Sequence, residues 1–95
     1  MALTGKQRRK LRALGHHLAA VVQVGQNGVT AAVIAACDQA LEDHELIKVK
    51  VGDAPVDRHD AAAALAEATH SEVAQVLGNT VLLFRKRLEK SRIDV

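Results

Sequence analysis

Leu18 to Asp43 reads LAAVVQVGQNGVTAAVIAACDQALED, and the fold turns on how this stretch divides. Leu18 to Val24 is apolar apart from Gln23 and rich in valine, which predicts a largely buried strand. From Thr30 to Asp43 the apolar residues Val33, Ile34, Cys37 and Leu41 recur at helical spacing, while Asp38, Gln39, Glu42 and Asp43 fall on the opposite side. Thr30 is the expected N-cap. Between strand and helix stands Gly25-Gln26-Asn27-Gly28, a GxxG loop. Two glycines allow a tight turn and close approach of a ligand to the backbone, and the helix that follows opens with unpaired N–H groups and a positive dipole end. Such a junction suits a phosphate group. In a chain with six glycines GxxG alone is a weak signal, and the duller reading of Gly25 and Gly28 is a plain strand-to-helix turn.

Downstream the pattern alternates. Ile47, Val49 and Val51 share one face of a strand over Leu46–Val51, and Lys48 and Lys50 share the other, so one face of the sheet is expected to be wet and basic. Gly52 to Val56 holds the only proline and reads as a loop. A helix is predicted over Asp57 to His70, with Asp57 as N-cap, Asp60 completing a capping box, and Ala61, Ala64, Leu65 and Ala68 forming a small-residue face. Glu72–Leu77 and Thr80–Arg85 flank Gly78-Asn79, a two-residue hairpin signal. Upstream, Thr4 precedes a short basic helix over Gly5 to Leu14 in which Leu11 and Leu14 share a side, and Gly15 is the expected stop. Two strands that each feed a crossover helix, closed by a hairpin, predict an α/β two-layer sandwich of order αβαβαββ. Its small four-stranded mixed sheet carries the helices on one face.

Ninety-five residues, 48% hydrophobic and 25% charged, suit one domain, with a core expected over about residues 3–85 and a basic tail over 86–95. The net charge of +2 conceals an asymmetry. Residues 1–28 carry Lys6, Arg8, Arg9, Lys10 and Arg12 and no acid, residues 29–84 hold three bases against nine acids, and the tail from Arg85 is basic again. A basic head and tail around an acidic middle suggest one face for a polyanion, unless the terminal charges are merely solvated. No apolar stretch approaches a membrane span, and the basic N-terminus lacks the apolar run of a signal peptide. A lone cysteine, Cys37, forms no internal disulfide, and a cytoplasmic location is expected.

Enzyme chemistry finds little support. His16 and His17 are adjacent and expected to point apart, and no histidine pair stands at helical i, i+4 spacing. One cysteine and no CxxC exclude the usual structural zinc patterns. His44 reads as a cation at a helix C-terminus. His59 with Asp57 and Asp60 is a helix start rather than a triad, and no serine occupies a nucleophile elbow. Phe84 is the only aromatic residue, which disfavours recognition of single strands by aromatic base stacking. The expectation is no catalytic residue, no metal and no cofactor.

One resemblance emerges from these residues. Leu14-Gly15-His16-His17-Leu18, Val21 and Val22, the GxxG with Val29-Thr30, and above all Ala40-Leu41-Glu42-Asp43-His44-Glu45-Leu46-Ile47-Lys48-Val49-Lys50 resemble the bacterial YhbY-type proteins, stand-alone members of the CRM (chloroplast RNA splicing and ribosome maturation) family. The likeness runs from about Leu3 to Arg85. The His-Glu-Leu-Ile-Lys-Val run after a GxxG helix is the specific part, and Ala20 departs from it where proline is expected before the first strand. The resemblance implies a fold similar to the C-terminal domain of the third bacterial translation initiation factor. It also implies RNA binding and, for bacterial stand-alone members, association with precursors of the large ribosomal subunit.

The expected interface follows. Gly25, Gln26, Asn27 and Gly28 clamp phosphate backbone in the manner of a KH-type loop, with Thr30 either capping the helix or touching phosphate. Lys6, Arg8, Arg9 and Arg12 add charge, as do Lys48 and Lys50 if their sheet face lies near the loop. Ribosomal RNA in large-subunit precursors is the expected partner, with no membrane, no small-molecule substrate and no obligate dimer. Two other readings stand beside it. One is a non-specific binder of duplex DNA, although no helix-turn-helix pair is visible. The other is a protein-interaction module that uses the acidic helix face of Asp38, Glu42 and Asp43.

Overall fold

A computed structural model of the protein describes residues 3–52, 57–87, 91 and 93. Three helices, α1 (Gly5–Gly15), α2 (Ala31–His44) and α3 (Arg58–Thr69), alternate with β1 (Ala20–Val24) and β2 (Leu46–Val51) and precede the hairpin of β3 (Glu72–Leu77) and β4 (Thr80–Phe84). The order is αβαβαββ, as the sequence predicts. The strands lie in the spatial order β1-β2-β4-β3, with β1 parallel to β2 and the other neighbours antiparallel, so the sheet is mixed. The hairpin inserts β4 between β2 and β3, and the carbonyl of Asn79 accepts the amide of Val51 at 2.7 Å.

Strand alternation divides the interior into two cores. Ile47, Val49 and Val51 of β2, Val81 and Leu83 of β4 and Val24 of β1 face α2 and α3, where Cys37, Leu41, Ala61, Ala62 and Leu65 bury against them. Leu46, Leu82, Phe84 and Ala74 point the other way and meet Leu3 and Leu11. Helix α1 therefore covers the second face of the sheet, and the helices are not all on one face as the sequence suggested. The cause is β4, apolar on both sides: Leu82 and Phe84 are 3% and 2% exposed and need a cover that α2 and α3 cannot supply. Only part of that second face is covered. Lys50 remains exposed and Lys48 half-buried, so the open part is basic as expected.

Several local expectations change for stated reasons. Strand β1 starts at Ala20 and is exposed over most of its length, because it is an edge strand with a bulge at Val21, whose exposure is 54%. Gly15 is the last residue of α1 but not a left-handed stop. His16 caps that helix in right-handed geometry, and a Cβ on Gly15 would lie 2.6 Å from both terminal carbons of Leu82, so the glycine serves close approach of helix to sheet. Leu11 is fully buried while Leu14, 44% exposed, is pushed outward. In α3 the buried face is Ala61, Ala62, Leu65 and Thr69 rather than the stripe containing Ala64 and Ala68. Asp57 caps α3 by accepting the amides of His59 and Asp60, while the reciprocal capping box belongs to Thr4 and Gln7 at the start of α1. Of the expected loop over Gly52–Val56, residues 53–56 lie outside the described residues, as does most of the tail after Arg87.

The chain beyond β4 is tied to the end of α2. Arg85 donates to Asp38 Oδ1 at 2.6 Å, to the Asp38 carbonyl at 3.0 Å and to the Thr69 carbonyl at 2.8 Å. Arg87 donates to the carbonyls of Glu42 at 2.7 Å and Asp43 at 2.8 Å, satisfying acceptors that a helix C-terminus leaves open. Between α2 and β2, Glu45 holds a positive φ of 63° and is 1% exposed. Its carboxylate accepts the Arg87 amide at 3.0 Å and the Ser91 hydroxyl at 2.7 Å, hydrogen bonds that offset the cost of burying the charge. The Glu of the His-Glu-Leu-Ile-Lys-Val run is thus a structural anchor for the tail.

Cys37 lies in the core with 0% exposure, and burial pushes its thiol up to about 11. In the unfolded chain a thiol ionises near 8.5. Between roughly pH 9 and 11 the unfolded state therefore binds fewer protons than the folded one, and stability falls as pH rises through that window, whereas it is insensitive to this group below it. At pH 8 the native protein is expected to resist thiol reagents until it is unfolded. Rapid labelling of the folded protein would show that the helix bearing Cys37 opens locally.

Candidate nucleic-acid interface

The loop from Gly25 to Gly28 is a four-residue turn closed by the Gly28 amide donating to the Gly25 carbonyl at 3.0 Å. Its two glycines have different physical roles. Gly28 is buried with φ 71°, a conformation that a Cβ makes costly. A Cβ on Gly25 would meet nothing within 4 Å, so packing does not demand glycine there. Gln26 and Asn27 are exposed at the tip. Thr30 is the N-cap of α2, its hydroxyl accepting the Val33 amide at 3.2 Å. The exposed Ala31 and Ala32 carry first-turn amides without intrahelical partners. An anion at this corner meets N–H groups and the positive end of the α2 dipole.

The sheet connects this corner to the cations. Gln23, two residues before Gly25, pairs with Lys50; Lys50 pairs with Thr80, and Thr80 with Leu77. These four share the sheet face that α1 leaves partly open. The next row brings Lys48 beside Leu82 and Leu82 beside Gln75. Above these rows, α1 presents Arg9, Arg12, Ala13 and His16 at i, i+3, i+4 and i+7, and between helix and sheet runs a groove of about 350 Å³. Its sheet side is formed by Lys48, Gln75, Leu77, Thr80 and Leu82.

Of the residues expected to bind, Arg9, Arg12 and Lys48 come together in this groove, and Lys50 lies in the row that leads from it to the GxxG loop. Lys6 and Arg8 are exposed on α1 but do not line the groove. Among the described residues no carboxylate is within ion-pair distance of Arg9, Arg12 or Lys48. Arg85 differs: it pairs with Asp38 at 2.6 Å and Glu42 at 3.5 Å, so part of the basic tail and part of the acidic α2 face neutralise each other within the chain. That pairing leaves Asp38 and Glu42 less open to an external basic protein. Among the described residues, Arg9, Arg12 and Lys48 are not neutralised in this way.

Sequence reasoning missed Gln75, Leu77, Thr80 and His16. The two-residue hairpin places Leu77 opposite Thr80, a legible signal, and His16 continues the helical spacing of Arg9 and Arg12. The position of β4 next to β2 is a tertiary fact without such a signal. His16 and His17 lie in the turn after α1 rather than on a helix or strand, and their rings meet edge to face at 5.3 Å. Among the described residues no group of three or more His, Cys, Asp or Glu side chains could hold a metal ion, and no helix is long and apolar enough to cross a membrane.

Residues 3–85 match the CRS1/YhbY (CRM) domain. The chain is 42% identical over 94 residues to the "Probable RNA-binding protein YqeI" of Bacillus subtilis, covering 98% of each chain. It is 43% identical over 89 residues to the "Probable RNA-binding protein PA4753" of Pseudomonas aeruginosa, covering 90% of this chain and 84% of that protein. In three dimensions it is similar to the solution structure of the hypothetical protein SAV1595 from Staphylococcus aureus, with a TM-score of 0.84, 39% identity and 98% of each chain covered.

Proposed function

The chain belongs to the CRS1/YhbY (CRM) domain family, and from that premise we propose that it is a non-enzymatic RNA-binding protein of the cytoplasm that attaches to ribosomal RNA in precursors of the large subunit. The observation that supports this reading is the junction of β1 and α2. Gly25 is open to solvent, the amides of Ala31 and Ala32 open α2 without intrahelical partners, and Lys50 stands one strand away from Gln23 on the same face. Phosphate backbone enters at this corner and is held by amides and by the dipole of α2, with Gln26 and Asn27 reaching sugar or base edges. Arg9, Arg12, Lys48 and Lys50 extend the contact by electrostatic attraction; relatives named probable RNA-binding proteins support RNA as the partner.

Two measurements test the proposal. In a sucrose gradient of cell lysate the protein is expected to sediment with immature large subunits at low salt and to move to the top at high salt. Retention at the top under both conditions would overturn the ribosomal part of the reading. With purified protein, log affinity for RNA should fall linearly with log salt. Exchanging Arg9 and Arg12 for glutamine should make that slope shallower by roughly 0.7 for each single-strand phosphate that is no longer neutralised. An unchanged slope would remove these two residues from the interface.

A further inference from the structure

We propose that the groove between α1 and the β3–β4 end of the sheet receives one unpaired nucleotide of the RNA, so that the protein prefers a helix interrupted by a bulged or looped-out base over continuous duplex. This rests on the RNA-binding reading above and adds to it the structural class of the RNA. Four features of the groove carry it.

The first is size. About 350 Å³ matches a single nucleotide and leaves no room for a duplex. The second is the mixed chemistry of the walls. A site for phosphate alone needs cations and N–H groups, yet the floor is apolar: Leu82 is buried, Ala13 forms the helix side, and Leu77 is 63% exposed with its side chain on the groove face of β3. An exposed leucine on a basic surface offers a planar base an apolar contact, in a chain that has no tryptophan or tyrosine for stacking. The guanidinium planes of Arg9 and Arg12 supply what aromatic rings otherwise would, since arginine stacks on bases while neutralising phosphate.

The third feature is hydrogen bonding. Gln75 brings an amide able to donate and accept and Thr80 a hydroxyl oxygen able to accept, as the edge of an unpaired base requires. The Thr80 hydroxyl is 2.8 Å from the Leu77 carbonyl, which fixes its position. The fourth is continuity with the phosphate corner. The row Gln23, Lys50, Thr80, Leu77 crosses the sheet from the GxxG strand to the groove, roughly 14 Å at the usual strand spacing. A strand held at Gly25–Gly28 can pass over Lys50 and drop its next free base between Arg12 and Leu77. A base inside a duplex is stacked and paired and cannot enter without being extruded, so only an unpaired one fits without that cost.

The test compares two RNA hairpins that differ only by one bulged thiouridine in the stem, each titrated with the full-length protein. Binding to the bulged hairpin is expected to be about tenfold or more tighter, from the contribution of one stacked base. Long-wave ultraviolet irradiation of that complex should cross-link the thiouridine to residues 9–16 or 75–82. Leu77→Ser, a change at an exposed position, should abolish most of the preference for the bulged hairpin. Equal affinity of the unaltered protein for both hairpins, or cross-links confined to residues 25–32, would overturn the proposal and leave RNA binding intact. Failure to bind either hairpin would instead overturn the RNA-binding reading on which it rests.

Discussion

Replacing Gly25 by aspartate is expected to weaken RNA binding by about 10–100-fold without a measurable change in stability. Gly25 has open space where a Cβ would stand and its φ is not positive, so the fold accepts a side chain there. The proposed ligand does not. A carboxylate in the loop that leads into α2 would repel phosphate. Hydrogen bonds to a charged group contribute about 1.5–3 kcal/mol each, and every 1.4 kcal/mol is tenfold in affinity, which sets the expected range. Fluorescence anisotropy with a labelled RNA hairpin reads the affinity, and thermal unfolding reads the stability. Gly28 is the wrong position for this experiment: at φ 71° any side chain costs about 1–2 kcal/mol of folding, so a loss of binding there would mix two causes. Unchanged affinity in the Gly25→Asp protein would exclude the loop from the interface.

Truncating Leu11 to alanine should cost roughly 2–5 kcal/mol, a large part of the 5–15 kcal/mol typical of a domain. Leu11 is the one fully buried side chain of α1, and with Leu3 it seals that helix onto Leu46, Leu82, Phe84 and Ala74. Much of the loss should appear as local opening of α1. Amide exchange over Gly5–Gly15 should accelerate more than exchange in β2 and β4, since the core under α2 and α3 is separate. Because α1 carries Arg9 and Arg12, its detachment also removes one wall of the groove, and RNA affinity should fall with it. Leu14→Ala is the control: at 44% exposure it should change stability by less than about 1 kcal/mol. A loss below about 1 kcal/mol for Leu11→Ala would show that α1 is held by something other than this contact.

Much of this architecture is legible in particular residues. The helical spacing of Val33, Ile34, Cys37 and Leu41 and the alternation of Ile47, Val49 and Val51 with two lysines each specify an element and its buried face, since burial of apolar area acts at periods of 3.6 and 2, while the valines before Gly25 specify a strand but not its exposure at the sheet edge. The GxxG loop is equally legible, as are the hairpin turn at Gly78-Asn79 and the caps at Thr30 and Asp57. One further signal is easy to pass over. In Thr80–Phe84 the residues Leu82 and Phe84 are apolar on the face opposite Val81 and Leu83, which marks a central strand covered on both sides and hence a helix on each face of the sheet.

By itself, then, the sequence determined the elements, their order, the buried sides of α2 and β2 and the chemistry available at the β1–α2 junction, because these depend on short-range periodicity and turn conformation. Tertiary structure alone decided which cations stand together. Five bases lie within residues 1–28 and two more on β2, yet only Arg9, Arg12 and Lys48 line one groove, with Lys50 beside it. Insertion of β4 next to β2 brings Thr80 and Leu82 beside those lysines, and packing of α1 on Leu82 through Gly15 sets the helix over them. Arg85, as basic as any of them, is drawn instead to Asp38 and Glu42, 47 and 43 residues earlier in the chain. The physical reason is that charge is read locally while its partner is chosen by long-range packing. Whether an arginine faces a ligand or a carboxylate of its own chain is settled only when strands distant in sequence become neighbours.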